Sequence, residues 1–212
     1  MLKSKELFTN PESSIAYGFI LSFDYPWEAV PRICDFIKEV GRTLSGEEYE
    51  EIGKDIWVSR GARVSASACL CGPCIIMEGA EIRQGAFIRG SALVGRGCVV
   101  GNSCELKNCI LFDGVQVPHF NYVGDSILGY KAHLGAGAIT SNVKSDRTLV
   151  SIRTPEGRIF TDMKKLGAII GDGCEVGCNS VLNPGAVLGR GAMIYPLSSV
   201  RGYVEPGGRF KG

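Results

Sequence analysis

The sequence predicts an all-β protein wound as a parallel β-solenoid, and three observations carry that expectation. An aliphatic residue recurs every six positions, as Val58, Val64, Leu70, Ile76, Ile82, Ile88, Val94, Val100 and Leu106, and again as Ile170, Val176, Leu182, Leu188, Ile194 and Val200. Two places before most of these sits a small residue: Ala62, Ala68, Cys74, Ala80, Ala86, Ala92, Cys98 and Cys104, then Ala168, Cys174, Ser180, Ala186, Ala192 and Ser198. Glycine often follows the aliphatic, as at Gly95, Gly101, Gly171, Gly177 and Gly189. Six residues make one short strand and a tight turn. Three such units close a triangular coil, and stacked coils pair their strands in parallel. The aliphatics fill the interior, the small residues fit the corners, and glycine suits a turn that needs φ > 0.

Residues 1–54 lack the period and are expected to form a helical N-terminal cap. In "YPWEAVPRICDFIKEVG", Pro26 suits a first turn, and Trp27, Val30, Ile33, Ile37 and Val40 share a helical face. "SGEEYEEIG" places Ser45 and Glu48 at capping-box spacing with Gly53 as a stop, which predicts a second helix. This segment is expected to cover one end of the solenoid, where an open coil would expose strand edges. The solenoid itself is expected over 55–212. It should be interrupted at about 143–167 by a β-hairpin, because "LVSIR" and "RIFT" flank the turn sequence "TPEG". Excursions from a solenoid gather where ligands or neighbours bind, so the hairpin is a candidate lid or subunit contact.

Lys plus Arg number 23 against 22 Asp plus Glu, a net charge of +1, which offers no electrostatic case for nucleic acid or an anionic membrane. "IAYGFILSF", the longest apolar-looking stretch, is far shorter than the roughly 20 residues a membrane span needs. The charged "MLKSKELFTN" has no apolar stretch after it, so a cytoplasmic protein without a signal peptide is expected. Nine cysteines are expected to be reduced. "CLCGPC" invites a metal reading, but Cys74, Cys98, Cys104 and Cys174 occupy slots that other coils fill with Ala or Ser. No metal is expected.

His119, one of two histidines, sits in "VPHFNYVGDSILG", where the rhythm slips: Val123 to Leu128 is a five-residue step. Gly101 to Asn142 around it resembles the acetyltransferase domain of bifunctional bacterial UDP-N-acetylglucosamine synthesis enzymes, which are hexapeptide-repeat acyltransferases. The motif runs Gly101-Asn102, Glu105 and Lys107, then His119, Tyr122, Gly124 and Asp125, then Gly135-Ala136-Gly137-Ala138-Ile139-Thr140 and Asn142. That resemblance implies a left-handed β-helix, where the general crossover rule would give a right-handed one. It also implies acetyl-CoA as co-substrate and a homotrimer with the CoA channel between subunits. His119 would be the general base toward the amine of a glucosamine 1-phosphate-like acceptor. Arg89 and Lys107 would hold its phosphate, Tyr122 and Asn142 its sugar. On the donor side the matching positions are Ala136, Gly137, Cys178 and Pro196, with Arg201 toward a CoA phosphate.

The departures fall on the sugar side. Arg89-Gly90-Ser91 stands for the family's Arg-Pro-Gly, and His133 replaces an Asn near the acceptor. The hairpin and "KKLGAIIGD" are similar to the archaeal-type sugar-phosphate nucleotidyltransferase branch. Residues 1–54 hold no Gly-rich nucleotide loop, so no nucleotidyl transfer is expected. Two alternatives stand beside this reading: acyl transfer to a nucleotide-linked amino sugar, and a non-catalytic sugar-nucleotide-binding or regulatory subunit. A zinc hydratase of the same fold would need three histidines, and the chain has two.

Overall fold

A computed structural model describes residues 2–212; Met1, the first residue of the expected cap, lies outside the described residues. From Ile56 onward the chain is a left-handed parallel β-helix. Its first face stacks Ile56–Ser59, Cys74–Ile76, Ala92–Val94, the ends of Glu105–Leu111 and Tyr122–Leu128, Ala168–Ile170, Ala186–Leu188 and Tyr203–Val204. The second face stacks Arg63–Val64, Glu81–Ile82, Val99–Asn102, Gln116–His119, His133–Leu134, Glu175–Val176, Met193–Ile194 and Arg209–Phe210. The third holds Cys69–Leu70, Phe87–Ile88, the starts of Glu105–Leu111 and Tyr122–Leu128, Ile139–Thr140, Val181–Leu182 and Ser199–Val200. Coils 1 to 7 thus complete all three faces, and coil 8 completes two.

The six-residue aliphatics point inward, and Ile88, Val100, Leu106, Leu182 and Val200 are fully buried. The small slots behave as the spacing predicts. Cys74, Cys98, Cys104 and Cys174 are buried, and so is Cys109. Burial pushes the thiols of Cys74, Cys98 and Cys174 up to about 12, so they pack as neutral side chains.

The slip in the rhythm is not at the histidine. Val117 to Val123 keeps the six-residue step, but Leu106 to Leu111 and Val123 to Leu128 take five. Partners are 18 residues apart before these steps, as in Glu81↔Val99, and 17 apart across them, as in Leu111↔Val94 and Tyr122↔Ile139. Both short steps fall at the corner between the third and first faces. Asn108 at φ 50° and Asp125 at φ 49° turn the chain there, a left-handed conformation that Asn and Asp tolerate.

The N-terminal segment departs from expectation in place and in part of its structure. Pro26–Arg32 is a 3-10 helix and Ile33–Gly41 an α-helix, with Pro31 marking the change because its ring cannot sit inside an α-helical turn. Trp27, Val30, Ile33 and Ile37 are buried as their spacing predicts. Tyr49–Gly53 is a strand rather than a helix. It pairs antiparallel with Ile56–Ser59 and closes the edge of the first coil. Ser45 still makes a single turn, accepting from Glu48 N and Tyr49 N.

The helices do not cap an end. They lie along the first face, running against the solenoid's direction. Leu7 O accepts from Asp172 N, Ser13 O accepts from Asp113 N, and Val30 O accepts from Asn108 Nδ2. Phe8 stacks on Phe112 at 5.0 Å. Under this strap lies an outward stripe of Ile75, Leu93, Ile110, Ile127, Ile169 and Val187, all fully buried. Covering each such side chain stabilises by about 1.5–3 kcal/mol. An outward position filled by an aliphatic in coil after coil was the signal in the sequence that this face is covered.

The insertion forms the expected hairpin, Ser151–Thr154 against Gly157–Phe160. Val150 and Ile152 are fully buried and anchor it to the solenoid.

Candidate active site

Two corners flank the third face, and the site residues divide between them. At the third-to-first corner Asp125 is the hub. It is 3% exposed, and its carboxylate accepts from Lys107 Nζ at 3.1 and 3.3 Å, from Asn108 Nδ2 at 2.8 Å and from Asn142 Nδ2. The five-residue steps build this contact: dropping one residue draws Lys107 and Asn108 of one coil against Asp125 of the next. Asn142 also donates to the Tyr122 hydroxyl at 3.3 Å. The Tyr122 hydroxyl lies over Gly124, where a Cβ would come within 2.4 Å of it and push the phenol aside. Burial pushes the Tyr122 phenol up, and the charges of Asp125 and Glu105 add to this, so it stays a protonated donor.

Lys107, Tyr122 and Asn142 therefore come together. Arg89 joins them one coil earlier, its backbone N donating to Leu106 O, but its guanidinium is bound to Glu105 at 2.8 Å. Each of the two cations expected to hold a phosphate already has a carboxylate.

His119 stands at the other corner of the third face, with Tyr122 between it and the cluster. It is exposed, and its ring makes no hydrogen bond among the described residues. Its backbone is held by Asn121, which sequence reasoning missed. Asn121 is 2% exposed and fills the small-residue slot two places before Val123. Its Oδ1 accepts from His119 N at 3.1 Å, and its Nδ2 donates to Gly135 O at 2.8 Å and Ala138 O at 3.0 Å. A polar side chain in an interior slot was the signal for it. One residue thus fixes the histidine's strand end to the Gly135–Ala138 turn.

From His119 the residues expected on the donor side rise along one edge. Gly137 N donates to His119 O, Asn179 N to Ala136 O and Leu197 N to Cys178 O, at 2.8–3.0 Å. Ala136, Gly137, Cys178 and Pro196 line this edge over two coil spacings, about 10 Å, and Pro196 lies three spacings, about 14 Å, from His119. The Ala136 N–H makes no hydrogen bond among the described residues, so it is a donor open to a ligand oxygen. Cys178 is exposed beside Gly135.

Two expected residues lie elsewhere. His133 pairs across from Gln116, three residues short of the His119 corner, and its Nδ1 engages Glu175 at 2.7 Å. The period-two alternation turns it outward on the second face, away from Asp125. Arg201 is not on the His119 edge either. It follows Ser199–Val200 at the third-to-first corner, in a groove beneath the hairpin with Asn183 and Arg153. Among the described residues, no three His, Cys, Asp or Glu side chains are placed to hold a metal.

The model of the GMPPB C-terminal domain matches residues 70–153, which include both corner clusters but not Cys178, Pro196 or Arg201. The Bifunctional protein GlmU of Methanococcus maripaludis (strain S2 / LL) is 30% identical over 179 residues, 84% of this chain and 43% of that protein. The Bifunctional sugar-1-phosphate nucleotidylyltransferase/acetyltransferase of Sulfurisphaera tokodaii is 36% identical over 107 residues, 50% of this chain and 27% of that protein. The chain is a hexapeptide-repeat relative of these bifunctional proteins. It spans less than half the length of either. Among solved structures, the acetyltransferase domain of PglB from Neisseria gonorrhoeae FA1090 aligns with a TM-score of 0.40 and 16% identity, over 90% of this chain and 74% of that one. Among the described residues no helix is long and apolar enough to cross a membrane.

Proposed function

We propose that this relative of the GlmU proteins is an acetyl-CoA-dependent N-acetyltransferase acting on an amino sugar that carries a phosphate. The observation that carries the reading is the division of the third face. An unpaired imidazole stands at one corner beside a glycine-rich turn, and a fixed set of sugar-binding groups stands at the other. His119 takes a proton from the acceptor amine as the nitrogen lone pair attacks the thioester carbonyl. The tetrahedral intermediate then collapses, the C–S bond breaks, and the CoA thiolate leaves with the proton from His119. Ala136 N–H is placed to bind the thioester oxygen, and Gly137 lets the donor approach closely. Lys107, Tyr122 and Asn142, fixed by Asp125, bind and orient the sugar. A homotrimer would supply the second wall of the edge along Ala136, Cys178 and Pro196.

Glucosamine 1-phosphate is the first acceptor in this proposal. A nucleotide-linked amino sugar is the second, favoured by one observation: Glu105 and Asp125 already neutralise Arg89 and Lys107. The test incubates the protein and His119→Ala with acetyl-CoA and each acceptor, and follows the acetylated sugar by mass spectrometry. Product from wild type with a loss of about 100-fold in the variant supports the reading. Equal product from both removes His119 from the chemistry, and no product from any amino sugar sinks the enzyme reading.

A further inference from the structure

The structure assigns a second polar site, a phosphate- or diphosphate-binding pocket between the hairpin and the third-to-first corner of coils 6 and 7. Arg153 and Arg158 are directly opposite each other on the hairpin. Their side chains share one face of that two-stranded ribbon, and both line the groove that Arg201 lines from the solenoid. Lys144, Ser151 and Asn183 complete the wall, and no carboxylate lines it.

Three features separate this groove from ordinary surface charge. None of the three arginines makes an ion pair among the described residues, although the chain has nearly as many acids as bases. Glu156, in the hairpin turn itself, pairs with neither Arg153 nor Arg158. Lys144 alone is compensated, by Asp146 at 3.5 Å. Like charges directly opposite on a ribbon are destabilising, so this arrangement persists against its own repulsion unless an anion lies between them. The backbone that carries the hairpin arginines is fixed to the solenoid, while the three arginine side chains are exposed. Ile152 is buried beneath the ribbon, and Arg153 leans on Gly202, at φ 82°, where a Cβ would meet Arg153 O at 2.6 Å. Guanidinium groups lining one groove match the multi-oxygen acceptor of a phosphate better than lysines do.

The groove is continuous with the sugar-side cluster. Ser141, Val143, Lys144 and Asp146 line a neighbouring depression that shares Lys144, Asn183 and Arg201 with the groove, so a carboxylate, Asp146, stands at its margin. Arg201 lies two coil spacings beyond Asn142, about 10 Å along the axis. The uncompensated positive charge on this corner is therefore at the hairpin and not at Arg89 or Lys107. The pocket stands on charge and geometry and does not depend on acyl transfer. Its phosphate has two possible sources, a nucleotide-linked acceptor or the nucleotide end of CoA.

The test is isothermal titration of wild type and an Arg153→Gln/Arg158→Gln variant with pyrophosphate, a UDP-linked amino sugar, CoA and dephospho-CoA, at low and high salt. Pyrophosphate should bind wild type, at least tenfold more weakly in the variant, with affinity falling steeply as salt rises. A tenfold loss for the UDP-sugar with CoA unchanged assigns the pocket to the acceptor. A tenfold loss for CoA, with wild type already binding dephospho-CoA weakly, assigns it to the CoA 3′-phosphate. No pyrophosphate binding by wild type, or equal affinities in both proteins for every probe, would overturn the proposal. Arg201→Gln, on the solenoid wall, should give the same loss and serves if the hairpin variant does not fold.

Discussion

Replacing Asp125 by Asn isolates one charge at the centre of the cluster proposed to bind the sugar. The substitution keeps the shape and tolerates the φ of 49° that the short corner imposes. It removes the acceptor that Lys107, Asn108 and Asn142 share. One carbonyl oxygen replaces two carboxylate oxygens, and the new amide presents donors to donors. Charge-assisted hydrogen bonds contribute about 1.5–3 kcal/mol each, and breaking a fully buried ion pair costs about 3–5 kcal/mol. The Lys107 side chain is 26% exposed, so water recovers part of that loss. The expected destabilisation is about 2–3 kcal/mol, a fall in melting temperature of roughly 5–10 °C for a chain of this size. A double-mutant cycle with Lys107→Met, read by thermal melts, should give a coupling of about 1–2 kcal/mol. A loss below about 0.5 kcal/mol with no coupling to Lys107 would refute the view of Asp125 as the hub.

Three further outcomes are expected. Asn121→Ala removes two donated bonds and two accepted ones, from His119 N and the Cys104 thiol, in a buried slot; it should destabilise by about 2–3 kcal/mol and lower kcat for acetyl transfer more than it raises KM, checked by melts and steady-state rates. In native protein at pH 8 a thiol reagent should label the exposed Cys69 and Cys178 rapidly, and the half-buried Cys34 and the upshifted Cys71 more slowly. The five buried cysteines should react only on denaturation, because the raised pKa of Cys74, Cys98 and Cys174 leaves almost no thiolate below about 11. Leu93→Ala on the covered first face should cost about 2–5 kcal/mol in urea unfolding, as a core residue would, although its side chain points out of the solenoid.

The solenoid was legible because each interior position repeats its chemistry every six residues, and the hairpin because turn residues interrupt that repeat. Position along the axis follows from counting, but the make-up of each corner did not: Asn108 and Asn121 went unnamed, and His133 and Arg201 stand elsewhere. The strap was misplaced because helical spacing shows that a face is apolar, not where it docks; the outward aliphatics from Ile75 to Val187 held that information. Tyr49–Gly53 reads as helix by its glutamates and becomes a strand because the open edge of Ile56–Ser59 offers backbone partners. On the site, the motif resemblance pointed to His119, Lys107, Tyr122 and Asn142. The carboxylates that occupy Arg89 and Lys107 came only with the structure: Glu105 meets Arg89 across the ordinary 18-residue register, and Asp125 meets Lys107 across a shortened corner.

The strap bears on how the molecule comes apart. In a bare solenoid each coil touches only its neighbours, so ends fray one coil at a time. Here Thr9 receives a bond from Arg190 of coil 7 and donates to Asp172 of coil 6, Ser13 reaches coil 4, and Gly41 packs against Trp57 of coil 1. Sliding out the strap uncovers every coil at once. Amide exchange across the first face should therefore be governed by one shared opening event, with coils 2 and 7 as protected as the middle.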